Sequence, residues 1–186
     1  MQPFQPNSRR RQAGKQAVCG RQADRGKRRF TALEKWADNT EQETRNTNLI
    51  IRGLTNSQGQ TEEELINYIA TTLSRKLKMK LHPNDVRFVV KLGKDPKANN
   101  RPVKVVFHER RAREFIFKKR SLLKETNIWI GEDLTAKRGK LAYEARQAAK
   151  IKEAYKTWTF EGRVFFKMSD DSEPLRIDDA ADLPTE

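Results

Sequence analysis

The stretch NLIIRGL, residues 48–54, opens the part of the chain that decides the fold. Its apolar run, with two β-branched isoleucines, predicts a strand over Asn48–Arg52, because such side chains pack well on a pleated surface. Gly53 then breaks the strand and predicts a loop as far as Gln60. The first element of the folded part is therefore a short strand that enters a loop.

A helix follows this loop directly. Thr61 and Glu64 have the spacing of a capping box, in which each side chain bonds the backbone N–H of the other residue. Residues 62–64 are all acidic, which suits the positive end of a helix. Apolar residues then recur every four positions, at Leu65, Ile69, Leu73 and Leu77. This spacing places them on one side of the helix, so that side must pack onto a sheet.

Further elements complete the first folded region. After a turn at residues 82–85, the composition predicts strands over 86–92 and 102–107, with a loop between them over 93–100. A helix over 110–123 and a fourth strand over 127–130 follow. Pro102 can only open its strand or lie on its edge. The order βαββαβ is the split arrangement in which two helices cover one sheet face and leave the other open, as in RNA-recognition modules.

A second, smaller unit follows at residues 132–178. Thr135 is a suitable N-cap for a helix to about Glu153, and strands over 157–160 and 163–168 flank a turn at residues 161–162. Residues 175–177 add a short strand, and we expect the acidic tail, residues 179–186, to fray. The chain is thus predicted to hold two folded domains, at residues 48–131 and 132–178.

The N-terminal residues carry most of the charge. Residues 1–29 hold nine cations against one acid, Asp24, and so supply +8 of the formal net charge of +14. Large apolar residues are almost absent after Phe4, so we expect a disordered basic arm that acts through charge alone. Residues 30–47 show a short helical pattern with too few heptads to establish a coiled coil. We interpret this segment as the remnant of a longer coiled coil.

Composition also excludes several classes of protein. Cys19 is the only cysteine, so no intramolecular disulfide can form. No run of about 18 apolar residues exists to span a membrane. We therefore expect an intracellular protein. A pI of about 10.1 favours a polyanionic partner, and nucleic acid is a better candidate than an anionic membrane surface. The alternative is that the basic charge serves only to keep the protein soluble.

The open face of the first sheet is the candidate binding surface. If Leu49 and Ile51 point into the core, alternation leaves Arg52, and Lys104 of the third strand, on the open face. Ile50 then occupies the place of a stacking aromatic residue in ordinary RNA-recognition modules. The two cations suit phosphate contacts, with a merely solvated face as the alternative. Further candidate contacts are the basic residues Arg87, Lys91, Lys94, Arg101, Lys118, Lys119, Arg120, Lys137 and Arg138.

Aromatic residues offer stacking surfaces, whereas groups for catalysis are scarce. The candidates for base stacking are Trp129, Trp158, Tyr143 and Tyr155, and we favour Trp158, which lies just before the hairpin. The alternative is that these rings lie in the core or in an interface. The two histidines are isolated, and no phosphate-binding glycine motif is present. Acidic pairs at residues 170–171 and 178–179 could hold a metal, but such pairs are usually solvated. We expect no enzyme, no bound metal and no cofactor.

Several phrases of the sequence together resemble one family. They are NLIIRGL at 48–54, KLG at 91–93, NRPVKVVF at 100–107 and EDLT at 132–135. The family is the nucleic-acid-binding protein encoded by the first reading frame of LINE-type, non-LTR retrotransposons. The closing part, with Ala145, Arg146, Trp158, EGRVF at 161–165 and LRI at 175–177, is also similar to the related baculovirus few-polyhedra protein. The resemblance spans about residues 46–183.

The resemblance implies a protein that coats the element's RNA and acts as a nucleic-acid chaperone without catalysis. It implies a trimerising coiled coil, an RNA-recognition-like domain and a small C-terminal domain. Arg101 then belongs to the RNA-contacting surface, with further basic contacts at Lys137 and Arg138. Two features depart from the family: the coiled coil is reduced to residues 30–47, and Gly139 interrupts a helix at a cost of about 1 kcal/mol. Both bear on trimerisation.

The sequence therefore predicts an α+β protein. It combines a disordered basic arm, an RNA-recognition-like split βαβ sandwich and a small helix-plus-hairpin C-terminal domain. We expect it to bind single-stranded RNA or DNA through phosphates in a cytoplasmic ribonucleoprotein, with basic clusters at 9–11 and 27–29 that would permit nuclear import. Any homo-oligomer would form through residues 30–47. The alternative is an assembly or scaffold protein with protein partners, whose binding would be less sensitive to salt.

Overall fold

The computed structural model describes residues 8–54, 61–93 and 100–184. They fold as a mixed α+β structure with two antiparallel sheets, one of four strands and one of three, which confirms the predicted class. The described residues divide into two units between Glu41 and Gln42, and the second unit holds both sheets. Among the described residues, none of the helices is both long and apolar enough to cross a membrane.

A single long helix, α1, occupies Ser8–Thr44. It contradicts the prediction that residues 8–29 are disordered, and residues 1–7 lie outside the described residues. Arginine, glutamine, alanine and lysine dominate residues 8–29 and are all strong helix formers. A low apolar content argues against a packed core, but a helix satisfies its backbone hydrogen bonds within itself. The helix continues through the segment predicted as helical and ends at Thr44.

The first module comprises the four-stranded sheet and two helices. Its elements are β1 (Asn48–Arg52), α2 (Glu62–Lys76), β2 (Val86–Lys91), β3 (Val103–Phe107), α3 (Arg110–Lys119) and β4 (Trp129–Glu132). Short 3-10 helices precede β2 and follow α3, at Pro83–Asp85 and Arg120–Leu123. The strands lie in the order β2-β3-β1-β4, and β1 pairs antiparallel with both β3 and β4.

The core of the first module lies on one side of its sheet. Leu49 and Ile51 of β1 are fully buried there, as predicted from alternation, together with Val103, Val105 and Phe107 of β3. Both helices pack against this side, through residues that include Leu65, Ile69 and Leu73 of α2 and Ile116 of α3. We call the opposite side of the sheet the open face.

The capping box that begins α2 is confirmed. The hydroxyl of Thr61 accepts a hydrogen bond from the backbone N–H of Glu64 at 3.2 Å, and the Glu64 carboxylate accepts one from the N–H of Thr61 at 2.9 Å. Two of the unpaired donors at the helix start are thereby satisfied within four residues. The apolar positions that follow are buried, as their spacing predicted.

Several boundaries of the first module differ from the prediction, most clearly those of β4 and α3. β4 begins at Trp129 instead of residue 127, because its pairing with residues 49–52 of β1 runs from Trp129 to Glu132. Ahead of it, the hydroxyl of Thr126 accepts a bond from the N–H of Ile128 at 3.2 Å and holds a turn. The helix predicted to reach Leu123 ends as α3 at Lys119, and the chain tightens into a 3-10 turn.

The second module comprises one helix and the three-stranded sheet. Its elements are α4 (Ala136–Ala148), β5 (Lys156–Phe160), β6 (Arg163–Lys167) and β7 (Leu175–Ile177), with the strands in the order β5-β6-β7. The Thr135 hydroxyl accepts a bond from the N–H of Arg138 and caps α4, as predicted. The helix ends at Ala148, before Glu153, because the next turn uses tighter bonds to residues three positions back. The core contains Leu141, Ala142, Ala145, Val164, Phe166 and Ile177.

The acidic tail is ordered where we expected fraying. Residues Ala180–Asp182 form a 3-10 turn, and the carboxylate of Asp179 accepts a bond from the N–H of Ala181 at 3.1 Å. Leu183 packs against the core of the second module. The Leu183 contact and the caps from the Asp179 and Asp182 carboxylates thus hold the tail as far as residue 184, and the last two residues lie outside the described part.

Glu132, the last residue of β4, joins the two modules. Its Oε1 accepts a hydrogen bond from Nη2 of Arg113 on α3 at 2.6 Å and another from the backbone N–H of Gly162 at 3.2 Å. Gly162 lies in the turn between β5 and β6 with a φ of +69°, and a Cβ there would lie 2.6 Å from Cγ of Gln42. Both backbone conformation and space therefore require glycine at this contact.

Asp133, the residue after Glu132, bonds side chains at the start of the first module. One carboxylate oxygen accepts from the guanidinium of Arg45 and the other from the amide of Asn48, each at 2.9 Å. The Gln42 side chain donates to the Asp133 carbonyl at 2.9 Å and accepts from the N–H of Thr135 at 3.0 Å. In the link between β4 and α4, the carboxylate and carbonyl of Asp133 and the N–H of Thr135 are therefore all hydrogen-bonded.

Candidate nucleic-acid interface

The open face of the first sheet carries cations and aromatic rings but no acid. Alternation and register place nine residues on it: Phe88 and Val90 from β2, Lys104 and Val106 from β3, Asn48, Ile50 and Arg52 from β1, and Trp129 and Gly131 from β4. Because none of these nine is Asp or Glu, no carboxylate on the face opposes its positive charge. Such a surface favours a polyanion.

Arg52 and Trp129 are both exposed and form one end of this face. They are directly opposite each other across β1 and β4, and the guanidinium of Arg52 lies 5.4 Å from the centre of the indole ring. Trp129 is 55 % exposed. Its ring folds over Gly131, where a Cβ would lie only 2.1 Å from the indole Cη2 atom. Glycine at that position therefore lets the ring lie flat against the sheet.

Lys104 lies one strand further along the face. It pairs with Ile50 of β1 on one side and with Val90 of β2 on the other. Arg52 lies diagonally from it, two residues beyond Ile50, so the two predicted cations share one face. The open face is thus an apolar strip with Lys104 near its middle and Arg52 near its end. Two cations placed along one face suit contacts to successive phosphates of an extended strand.

The opposite end of the face is closed. Val106 and Asn48 lie opposite each other across β3 and β1 and are both buried, although alternation alone placed Val106 on the outer face. The Asn48 amide donates to Asp133, and the neighbouring Thr47 carbonyl accepts from the N–H of Phe107. A bound strand could therefore use only the half of the face that contains Arg52, Lys104 and Trp129.

Arg87 lies at an irregularity of β2. The pairing with β3 shifts register between Val86 and Phe88, and Arg87 is the exposed residue between them. A bulge of this kind redirects a side chain at a sheet edge. Arg87 is therefore a basic group at the edge of the sheet, outside the regular alternation that defines the open face.

The hairpin between β2 and β3 uses Arg101 to hold its own backbone. The guanidinium donates to the carbonyls of Leu92 at 3.0 Å, Lys91 at 2.9 Å and Gly93 at 3.2 Å. Three carbonyls orient the group without neutralising its charge, so it remains available for electrostatic attraction. Lys91 is half-buried at the end of β2, and the predicted contact Lys94 lies outside the described residues.

The cations at the end of α3 do not belong to the open face, since α3 packs against the other side of the sheet. Lys118 is exposed, and Lys119 lies 4.9 Å from the ring centre of Phe115 and donates to the carbonyl of Lys78. The guanidinium of Arg120 stacks on Phe117 at 3.8 Å. Burial lowers the pKa of Arg120, which still stays charged near neutral pH.

The second module holds the other predicted contacts. Lys137 is exposed in the first turn of α4, whereas the Arg138 guanidinium donates to the carbonyl of Gly162 at 3.0 Å and so braces the β5-β6 turn. Trp158 is half-buried and stacks on Phe165, with ring centres 5.8 Å apart and planes inclined by 12°. The structure therefore places these residues apart from the open face, on a different sheet and helix.

The outer face of the second sheet is basic, but carboxylates accompany its cations. Lys156 bonds Asp170, and this hydrogen bond lowers the pKa of the Asp170 carboxyl. Arg176, opposite Phe165, forms an ion pair of 2.7 Å with Asp178. The open face of the first sheet has no such carboxylate, which makes it the stronger candidate for a phosphate-bearing ligand.

Sequence reasoning underrated Trp129. The predicted strand ended at residue 130, which left the direction of the indole unassigned, and Trp158 was favoured instead. The available signal was the alternation Trp129, Ile130, Gly131, with the apolar residue inward and a glycine two positions on to make room for the ring. Phe88, half-buried on the same face, was missed because the register shift in β2 changes its direction.

The described residues contain no group of three His, Cys, Asp or Glu side chains that could hold a metal ion. No protein-family model matches the chain, and no curated protein matches it. The arrangement on the open face, together with the sequence motifs, is therefore what bears on function.

Proposed function

We propose that this protein binds single-stranded RNA or DNA without catalysis, and that the strand lies on the open face. The observation that carries the proposal is the stack of Arg52 on Trp129 beside Lys104, on a face without carboxylates. An exposed indole offers a stacking surface for a base, and the two cations offer phosphate contacts. Sequence preference would be low, because every base has a π-face.

The strand order β2-β3-β1-β4, with both helices on one side, supports an RNA-recognition-like domain. In this chain the edge strand β4 would supply the stacking ring, Trp129, in place of the central strands. Together with the motifs that resemble LINE-type first-reading-frame proteins, this favours a role in a retrotransposon-derived ribonucleoprotein.

We also propose that residues 30–44 of α1 mediate self-association. Phe30, Leu33 and Trp36 lie on one side of the helix and are each about two-thirds exposed. A scaffold protein would use the same surface for other partners. Light scattering after size-exclusion chromatography should detect an oligomer that Leu33→Asp converts to monomer, and an unchanged mass would refute self-association through this stripe.

The main proposal is tested by the binding of a short labelled oligouridine across a range of salt concentrations. Trp129→Ala should weaken binding by about 5- to 150-fold, the effect of losing about 1–3 kcal/mol of base stacking. Tyr143→Ala is the matched control, since Tyr143 is 57 % exposed but lies on α4, outside the open face. This control should bind like the unmodified chain.

The two cations are tested by the salt dependence. The double change Arg52→Ala and Lys104→Ala should reduce the slope of log affinity against log salt by about 1.4, at about 0.7 for each lost phosphate contact on a single strand. Lys76→Ala with Lys80→Ala removes the same charge from exposed positions at the end of α2. If both double variants lose affinity equally, the basic charge acts without regard to position and the open-face site is wrong.

A further inference from the structure

A cleft of about 550 Å³ lies along the free edge of β4, beside the open face. β4 pairs only with β1, so its other edge is unpaired by any described strand. One continuous stretch, residues 118–130, lines the cleft, from the end of α3 through the 3-10 turn to β4 itself. Its volume lies within the range of roughly 300–1,000 Å³ that is usual for small-molecule sites.

The walls of the cleft are held from two sides. The hydroxyl of Thr126 donates to the carbonyl of Leu123 at 2.9 Å and accepts from the N–H of Ile128, and Leu123 is itself anchored in the core. From the other side, Gly53 approaches so closely that a Cβ would lie 1.8 Å from the Asn127 carbonyl oxygen. The turn that lines the cleft is therefore held by bonds and packing within the fold.

The charge of the cleft has one sign. Lys118, Arg120 and Lys124 line it, and no residue of the lining is acidic, although Glu125 belongs to the same turn. Arg120 is oriented by its stack on Phe117 and by a bond of 2.8 Å from its Nη1 to the Phe117 carbonyl. A guanidinium and two lysines in the lining of one cleft complement the charge of a phosphate group.

The rest of the lining matches a base. Ile128 and the inner wall are apolar, and the side chain of Asn127 adds an amide that can both donate and accept hydrogen bonds. Trp129 borders the cleft and also lies on the open face, so a strand on that face passes the mouth of the cleft. Cations, an apolar floor and one amide are together the complement of a nucleotide.

We propose that this cleft is a nucleotide subsite, in which one base of the bound single strand leaves the open face at Trp129 and inserts beside Asn127 and Ile128. The adjoining phosphate then lies at Lys118, Arg120 and Lys124. The inference rests on the proposed function, because it assigns a second contact to the same strand. It adds a place where one base is held by hydrogen bonds, and so a source of base preference that the open face lacks.

The test uses uridine 5′-monophosphate as probe and the full chain, isotopically labelled for NMR. We expect the side-chain amide signal of Asn127 to shift on titration with this nucleotide. The shift should be smaller with uridine, which lacks the phosphate, and with ribose 5-phosphate, which lacks the base. Ser121→Phe should fill the cleft without changing its charge and abolish the shift. Lys124→Ala should weaken nucleotide binding about tenfold, as expected for a lost charge-assisted hydrogen bond, while Lys80→Ala should not.

Oligouridine binding by the same variants separates this inference from the proposed function. The cleft assignment is supported if Ser121→Phe and Lys124→Ala weaken the oligonucleotide and Lys80→Ala does not. It is overturned if the oligonucleotide still depends on Arg52 and Trp129 but ignores both cleft variants, and the proposed function then survives. If no oligonucleotide binds, both fail. Unchanged NMR signals outside residues 118–130 establish that the variants are folded.

Discussion

Replacing Glu132 with alanine tests how the two modules are joined. The side chain of Glu132 is 1 % exposed and that of Arg113 is 7 % exposed. Without the carboxylate, a buried guanidinium loses its counter-charge and the N–H of Gly162 loses its acceptor. Removing one partner of a buried ion pair costs about 3–5 kcal/mol, a large share of the roughly 5–15 kcal/mol by which domains are stable. We expect Glu132→Ala to unfold at a much lower urea concentration.

The assay is urea denaturation followed by tryptophan fluorescence, with two comparisons. Glu114→Ala breaks the ion pair with Arg110 on the exposed side of α3 and should cost only about 0.3–0.5 kcal/mol. The double variant Arg113→Met and Glu132→Leu removes both buried charges and should be less destabilised than Glu132→Ala alone.

The double-mutant cycle decides whether the ion pair acts as inferred. Residues in direct contact show coupling free energies of about 0.5–3 kcal/mol, and we expect a value near the upper end for Arg113 and Glu132. A coupling near zero, or a loss below about 1 kcal/mol for Glu132→Ala, would refute the reasoning, because a buried charge cannot lose the carboxylate paired with it at so small a cost.

Three further changes test single features. Gly162→Ala should destabilise the protein by about 1–3 kcal/mol in thermal unfolding, because φ is +69° and the new Cβ would meet Gln42. Gly139→Ala should raise stability by roughly 0.5–1 kcal/mol, since α4 runs through this residue and nothing lies within 4 Å of the added methyl. Lys156→Ala should raise the pKa of Asp170 towards its ordinary value in an NMR titration. The stabilisation by that pair is present above a pH of about 4 and is lost as the pH falls through the lowered pKa.

The parts of the fold that were predicted correctly depend on local patterns. The capping box of α2 lies within four residues, and the alternation of Leu49 and Ile51 needs only one buried face. Thr135 as a helix cap is equally local. Each signal is complete within one turn of helix or one strand, so no knowledge of distant residues is needed.

The parts that were predicted wrongly depend on contacts between distant residues or on a mistaken criterion. The end of β4 is set by its pairing with β1 and by the bond from Arg113 to Glu132, neither of which is visible in residues 127–132 alone. The disorder predicted for residues 8–29 was wrong because a lack of apolar residues was taken to exclude a helix. The tail is held by Leu183, whose partner surface is formed by other segments.

The candidate site was partly visible in the sequence. Alternation placed Arg52 and Lys104 on the same face, and the register agrees. The contribution of Trp129 could not be found without the position of β4, and the role of Arg101 in bracing its hairpin requires the path of three backbone carbonyls. Charge alone identified the basic residues but could not sort them among the open face, α3 and the second module.

The link between β4 and α4 should resist both limited proteolysis and division of the chain by recombination. Residues 133–135 are the whole connection, and Asp133 and Thr135 are buried with their polar groups bonded. A protease needs an exposed, pliable segment, so limited digestion should not release two separate halves at this point. Recombination at this boundary would likewise leave Arg45 and Asn48 without the Asp133 carboxylate, or Glu132 without the N–H of Gly162. We therefore expect the two sheets to be kept together in evolution, to be expressed as one folding unit and to be degraded together.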